Sequence, residues 1–425
     1  LYVRGAPGEM YILALFPWAG FLLKKYLDKS TSTNLALSSI PIFLISITHN
    51  VLLPFIYLLL FLYALINLVI LKIKFSKYSI IFLPFLIGIL LGSYYLLPAF
   101  SEVRYISSYE QFNIADHFPF IKQLVIPHWG YGPSIWGFLD DISFDIGSVN
   151  LILLFTSFII FKFSKKEIRI LLVFFWAIFG LAVILMNIRT LFFWESIRFL
   201  RLVQFPWRML LLTTISTSFI AALVIEVFSE KFKKATPAFL LLILGLLISL
   251  NIWHYHPSEA KQVTDEQYLE LYFANRTLQG SGVRESLSPL YLNFTEDFIP
   301  PTIWQSKRPM GLLREMEFAT GSGDLNFKTN GLSYDIEYQA PVPNKIIVAK
   351  TYFPGWQAKS GNKPLTVEPY SEFGIIAIPI EEGSGNISLT FGNTWTRTLA
   401  NLISASTLML ILVLLVYPQI KRRTK

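Results

Sequence analysis

The chain has 425 residues, of which 53% are hydrophobic and 16% aromatic but only 15% charged, and its mean hydropathy is +0.52. A soluble protein of that composition would carry an insoluble surface, so a lipid bilayer is the solvent for most of it. The formal net charge of +8 does not point to nucleic acid, because the Lys and Arg residues sit mainly in short loops beside apolar runs, and the absence of cysteine excludes disulfides, thiolate nucleophiles and thiolate metal sites.

Leu1 to Glu9 (LYVRGAPGE) has neither a basic n-region nor a cleavage site and reads as an internal start with further spans upstream. At about 20 apolar residues per span, helices fall near 10–23, 34–49, 51–71, 78–97, 149–163, 168–187, 208–228, 236–253 and 397–417. The connecting loops are alternately basic and not basic, the basic ones being Lys24–Lys29, Lys72–Lys77, Lys162–Arg169, Glu230–Lys234 and Lys421–Lys425. Cytoplasmic loops retain Lys and Arg, which places these five inside a plasma (inner) membrane, the C-terminal tail included, and the intervening loops outside. Pro41 and Pro54 flank the short connection Thr48-His49-Asn50, which predicts short or broken helices on either side of it.

Two outer segments are too long and polar for ordinary loops. Pro98–Asn150 mixes aromatic and acidic residues in a pattern expected of short interfacial helices. His254–Thr396 has the size of a small domain, and Leu332–Tyr338, Lys345–Tyr352, Gly374–Pro379 and Asn386–Phe391 read as strands between Gly, Pro and Asn punctuation. The expected fold is an α-helical polytopic membrane protein of about nine visible transmembrane helices with an extracytoplasmic β-sandwich-like domain. Its parts are a helical domain over 1–253 with an outer loop at 98–150, the β-rich domain over 254–396, and a last helix with a basic tail over 397–425.

Candidate site residues cluster on the outer side. His49 and Asn50, at the ends of two apolar runs, either line a cavity or cap a helix-breaking turn. Arg4 and Glu9 either pair with each other or leave Arg4 to hold a phosphate. The run Phe112–Asn150 offers Asp116, His117, Lys122, Gln123, His128, Asp140, Asp141 and Asp145 among Trp129, Tyr131 and Trp136. Aromatic rings beside carboxylates and amides suit a sugar, and aromatics also form the belt of any membrane interface. Arg104 follows the fourth span, and Arg189, Arg198, Arg201 and Arg208 fall on a side otherwise poor in positive charge. Such arginines either receive a lipid-linked phosphate or contact headgroups. His254 and His256 form an HxH with no third ligand at a telling spacing, which gives no metal site. Asn275, Asn293 and Asn386 begin sequons. The chain carries no P-loop, Rossmann fingerprint, nucleophile elbow or zincin motif, so soluble cofactor chemistry is not expected and a divalent cation is the one cofactor in view.

Several of these stretches occur together in a known family. Leu97-Pro98-Ala99-Phe100-Ser101-Glu102, Gln123–Gly147 (QLVIPHWGYGPSIWGFLDDISFDIG) and Gln204-Phe205-Pro206-Trp207-Arg208 resemble prokaryotic membrane proteins labelled "6-pyruvoyl-tetrahydropterin synthase-related". Tyr2–Glu9, Thr48-His49-Asn50, Glu296–Pro300 (EDFIP) and Tyr352–Trp356 (YFPGW) fit the same pattern, so the resemblance covers nearly the whole chain. It implies no pterin chemistry. It implies an architecture similar to C-type glycosyltransferases, which take sugars from polyprenyl-phosphate carriers on the outer face, with an acidic base or metal ligand in a first outer loop that would lie upstream of Leu1. On that reading Arg198, Arg201 and Arg208 hold the carrier phosphate, with Arg4, Glu9, His49, Asn50, Arg104, His117, Gln123, Trp129, Gln204 and Trp207 around the substrate. Asp140, Asp141 or Glu102 would orient the acceptor or a divalent cation and supply the carboxylate base. The rival expectation is a non-catalytic scaffold or transport subunit working with envelope-assembly proteins.

Overall fold

A computed structural model describes residues 6–49, 51–105, 113–128, 130, 134, 137, 142–201, 203–252, 264, 266, 316–321, 323–330, 332–370 and 374–423. The chain divides into two units: Leu1–Gly92, Gln111–Ala260 and Ser404–Lys425 form a helical unit, and Ser93–Glu110 with Lys261–Ile403 form a second unit that holds the sheets.

The helical unit begins with α1 (Pro7–Asp28), whose entry is set by a proline in its first turn, where the missing N–H is not needed. α2 (Ser32–Ser46) follows after a tight connection. Thr31 caps α2 through its side chain, and the Asn34 amide donates to the carbonyls of Lys29 (2.8 Å) and Lys25 (3.3 Å) at the end of α1. α3 (Leu53–Ile70) again starts on a proline, Pro54. A 3₁₀ stretch, Phe75–Ile81, leads into α4 (Phe82–Leu91), which stops at Gly92, and α5 (Ser93–Glu102) begins there. The continuous span expected over 78–97 is therefore a broken one.

Short helices α6 (Ile121–Val125), α9 (Leu191–Ser196) and α10 (Arg198–Arg201) alternate with the longer α7 (Ser148–Ile160) and α8 (Lys166–Leu185). α11 (Leu210–Lys231), α12 (Thr236–Asn251) and α13 (Trp395–Arg423) complete the described helices. The short elements at 114–117 and 121–125 meet the expectation of short helices within Pro98–Asn150.

Ile12, Phe16, Ala19 and Leu23 form the fully buried stripe of α1. Phe16 meets Phe219 of α11 edge-on at 5.7 Å, Phe175 of α8 stacks on Phe219 at 4.7 Å, and Tyr63 of α3 lies 5.9 Å from the same ring. Gly20 lies beside this nest, where a Cβ would make ordinary contact with Phe219 and Tyr63 at 3.6 Å. Two buried hydroxyls are satisfied inside their own helices: Ser46 donates to the Ile42 carbonyl and Thr217 to that of Thr213. Such bonding lets polar residues stay in an apolar helix without an unmet donor.

Four helices are long and apolar enough to cross a membrane: Leu53–Ile70, Lys166–Leu185, Pro206–Lys231 and Trp395–Tyr417. A fifth is reached if the broken pair Tyr78–Leu91 and Ser93–Tyr105 counts as one span. The chain is thus a multi-pass membrane protein. Helices occupy all nine expected positions, but α2, α7 and α12 run about 22, 20 and 24 Å at 1.5 Å per residue, short of a hydrocarbon core of about 30 Å. α12 buries none of its side chains among the described residues, and Leu241, Leu242 and Ile248 on its surface belong in lipid.

In the second unit, two antiparallel sheets face each other across one core. The strands are β1 (Met316–Phe318), β2 (Asp324–Thr329), β3 (Ser333–Ala340), β4 (Asn344–Thr351), β5 (Trp356–Ser360), β6 (Lys363–Leu365), β7 (Glu368–Tyr370), β8 (Ile375–Ile380) and β9 (Gly383–Phe391). They order as β1-β4-β8-β7 and β2-β3-β9-β5-β6. Ile346, Val348, Ile376 and Ile378 of the first sheet share a buried cluster with Tyr334, Ile336, Ile387 and Leu389 of the second, which makes the pair a β-sandwich. The four expected strands are β3, β4, β8 and β9. Asn386 lies exposed on β9.

The crossing of α2 and α4 depends on Gly88, where a Cβ would lie 2.8 Å from Ile42 Cγ2 and 3.1 Å from the Phe43 amide nitrogen. Because one of these neighbours is backbone, Gly88→Ala should separate the two helices at a cost of about 1–3 kcal/mol. Thermal unfolding of the detergent-solubilised variant checks this, with a lowered midpoint expected.

Candidate functional site

α1 and α11 both begin at one end of the helical unit, and two features of the sequence bring their starts together. Gly8 lets the first turn of α1 press on the turn after α2: a Cβ there would lie 2.5 Å from the Thr48 carbonyl oxygen and 3.3 Å from the His49 ring. Pro206 starts a 3₁₀ turn, Pro206–Met209, that runs directly into α11 and carries Arg208.

Three charged or titratable side chains meet there. Glu9 Oε1 lies 3.3 Å from Arg208 Nε and 3.8 Å from His49 Nε2. The Glu9 side chain is 3% exposed, Arg208 13% and His49 18%, so the pair is largely removed from solvent. Arg208 is held further by Nη1, which donates to Gln204 Oε1 (2.7 Å) and to the Val203 carbonyl (2.9 Å). Gln204 adopts a left-handed backbone, φ 67°, which turns the chain before Phe205 and brings its amide back onto Arg208.

Aromatic rings wall this cluster. Phe205 and Trp207 stack at 5.2 Å with an interplanar angle of 11°, and the guanidinium carbon of Arg208 lies 5.0 Å from the Phe205 centroid. His117 packs edge-on against Phe205 at 4.7 Å and contacts Ser134 Oγ through Nδ1 at 3.1 Å. Phe144 lies 5.9 Å from Trp207. A carboxylate, an imidazole and a guanidinium beside stacked rings can bind an anion, exchange a proton and pack against a sugar ring.

The basic loops lie at the other ends of the same helices. Along α1, Lys24–Lys29 lie about 22–30 Å from Glu9, and along α11, Lys231 lies about 34 Å from Arg208. The start of α8 joins that basic end, since Lys165 Nζ lies 2.6 Å from Glu230 Oε1. The Glu230 carboxylate, which accepts a hydrogen bond from Lys165, pushes the lysine pKa up.

Of the expected substrate residues, Glu9, His49, His117, Gln204, Trp207 and Arg208 come together in this cluster. Among the described residues Glu9 lies against Arg208 and His49; the alternative pairing of Glu9 with Arg4 lies outside the described residues because Arg4 does, as do Asn50, Trp129, Asp140, Asp141, Tyr131, Trp136 and the His254–His256 pair. Gln123 caps α6 by accepting from the Phe120 N–H at 2.7 Å. Arg201 is exposed, and Arg198 is placed by its backbone on α10. Arg189 is also exposed and lies at the edge of an apolar groove of about 320 Å³ formed with Ile121, Leu124, Ile184, Met186 and Thr190. Among the described residues no three His, Asp or Glu side chains converge to hold a metal ion.

Glu102 belongs to the second unit, where Arg397 donates to its Oε2 from Nη2 (2.8 Å) and Nε (3.2 Å) and Thr394 donates to its Oε1 (3.2 Å). Arg397 Nη2 also donates to the Pro354 carbonyl at 3.0 Å, and its guanidinium carbon lies 5.5 Å from the Phe353 ring and 5.1 Å from that of Phe391. The Tyr352–Trp356 motif thus wraps an arginine that the sequence did not single out. Arg104, in the same unit, is exposed and contacts the Tyr105 hydroxyl at 3.2 Å.

Comparison with protein-family models, with curated proteins and with solved structures gives no match to this chain.

Glu9→Gln keeps the shape of the side chain and removes its charge, leaving the buried Arg208 guanidinium without that carboxylate. Breaking a buried pair in this way costs about 3–5 kcal/mol. The detergent-solubilised variant should therefore unfold at a clearly lower temperature, and an unchanged midpoint would show that Arg208 does not depend on Glu9.

Proposed function

We propose that this multi-pass membrane protein takes a sugar from a polyprenyl-phosphate carrier and passes it to an envelope glycan, lipid or protein acceptor. The observation that carries this reading is the largely buried Glu9–Arg208–His49 cluster beside stacked aromatic rings, about 22–34 Å along α1 and α11 from the basic loops. If the Lys- and Arg-rich loops are cytoplasmic, the cluster opens toward the outer face. The proposal extends to nine membrane passages, with α2, α7 and α12 crossing a locally thinned or protein-lined region. The resemblance of the QFPWR, THN and YFPGW stretches to the 6-pyruvoyl-tetrahydropterin synthase-related membrane proteins supports the same reading.

In this mechanism the carrier phosphate takes the guanidinium of Arg208, competing with Glu9 for it and freeing the carboxylate. The acceptor hydroxyl then attacks the anomeric carbon. The new carbon–oxygen bond forms as the bond to the phosphate oxygen breaks, the polyprenyl phosphate leaves with the electron pair, and the acceptor proton passes to Glu9 or to His49 beside it. The Phe205–Trp207 stack offers an apolar wall to the sugar ring. Asp140 and Asp141 remain the alternative base and cation ligands in this scheme.

Arg208→Lys tests the proposal while keeping a positive charge opposite Glu9. The variant should bind a polyprenyl-phosphate sugar about tenfold more weakly, as expected for one lost charge-assisted hydrogen bond of roughly 1.5 kcal/mol, and transfer should fall with binding. Lys328→Ala, at an exposed position of β2, should change neither. Unaltered binding in Arg208→Lys would remove this residue from the carrier site, and wild-type protein that binds the carrier without transferring sugar would favour a non-catalytic scaffold.

A further inference from the structure

At the basic end of the helical unit, α3 and α8 flank an open groove of about 420 Å³. Its walls are apolar: Ile66 comes from α3, and Ile170, Val173, Phe174 and Ala177 come from one face of α8 at helical spacing. Lys166 and Arg169 stand at one end of this wall, four residues and one residue before Ile170, its first apolar residue on α8.

These two cations differ from their neighbour. Lys165 is neutralised by Glu230 at 2.6 Å. Lys166 is exposed and has no ion-pair partner among the described residues, and Arg169, also exposed, donates to the Lys162 carbonyl at 2.9 Å but meets no carboxylate among them. The groove therefore combines an apolar wall with uncompensated positive charge at a single end.

The dimensions fit one lipid of one leaflet. From Lys166 to Ala177 the α8 axis rises about 16 Å, and half of a hydrocarbon core of about 30 Å is about 15 Å. Both helices bounding the groove are long and apolar enough to cross a membrane, so its apolar length lies where acyl chains are and its charged end lies where phosphates are.

We infer that the α3–α8 groove is a binding site for an anionic phospholipid, with an acyl chain along Ile66, Ile170, Val173 and Phe174 and the headgroup phosphate on Lys166 and Arg169. Paired charge opposite a lipid phosphate distinguishes such a site from general solvation by the bilayer. The inference does not rest on the glycosyl-transfer reading, since it uses none of the residues of the Glu9–Arg208–His49 cluster.

The test is native mass spectrometry of the full chain in detergent with equal amounts of phosphatidylglycerol and phosphatidylcholine. The wild type should retain the anionic lipid about tenfold more strongly, the preference expected when cations face a lipid phosphate. Lys166→Gln with Arg169→Gln should abolish the preference, whereas Lys165→Gln should leave it intact. Val173→Trp, which fills the groove, should reduce retention with both cations in place. Equal retention of the two lipids by the wild type, or an undiminished preference in the double variant, would overturn the assignment. Displacement of the lipid by excess inorganic phosphate would overturn it too, identifying a site for free anions.

Discussion

A guanidinium at the start of a helix, where the backbone dipoles already present positive charge, needs a carboxylate close by when water is largely excluded. Arg208 immediately precedes α11 and is mostly buried, and Glu9, in the first turn of α1, lies 3.3 Å away. The same carboxylate thus serves the positive ends of two 22-residue helices at once. Much of the helical unit at this end follows from that requirement. Gly8 is small so that α1 can reach the His49 turn, Gln204 bends into a left-handed conformation so that its amide meets Arg208, and Phe205 and Trp207 stack to exclude solvent. The charge that makes the cluster suited to a phosphate is also the charge that the fold must neutralise when no phosphate is there.

How far the sequence could be read depended on the range of the interaction. Apolar runs are local, and each of the nine expected stretches lies on a described helix; β3, β4, β8 and β9 were equally legible because they are the longer or more apolar strands. β2 (DLNFKT) is polar and largely exposed, and β6 and β7 have three residues each with a proline at the centre, so periodicity had nothing to detect. Crossing a membrane is a matter of length as well as of apolarity, and α2 and α7 fall short in a way that composition does not reveal. The long-range pairings were the least accessible. Glu9 and Arg208 are almost two hundred residues apart, and each looked like an isolated polar residue beside an apolar run. Arg397 went unnoticed for the same reason, although it is a cation at the start of the last helix, on the side expected to be poor in positive charge.

The second unit solves an equivalent problem differently. Glu102 is one of three carboxylates that the family resemblance offers to orient an acceptor or a cation, and both of its oxygens accept hydrogen bonds from the start of α13. Gly355, at φ 119°, makes room for this: a Cβ there would lie 2.5 Å from the Gly392 carbonyl oxygen and 3.0 Å from Arg397 Nη1. The Pro354-Gly355 turn can therefore bring its carbonyl onto the guanidinium, and the Phe353 and Phe391 rings lie within cation–π range of it. The α5 end, the β4–β5 turn and the first turn of α13 are joined through one side chain, which fastens the sandwich to a helix without a disulfide.

The half-buried ring of Phe219 has a mechanical meaning. It is wedged among Phe16, Tyr63 and Phe175, which come from three other helices. Sliding any of these helices along its axis by one turn, about 5.4 Å, would draw its aromatic group out of the nest and leave a void that neither lipid nor water fills well. The ring works as a pin that fixes the axial register of α1, α3, α8 and α11. The level at which α1 and α11 begin is held by that pin, so Glu9 and Arg208 meet through a constraint seated well inside the bundle as well as through their own attraction.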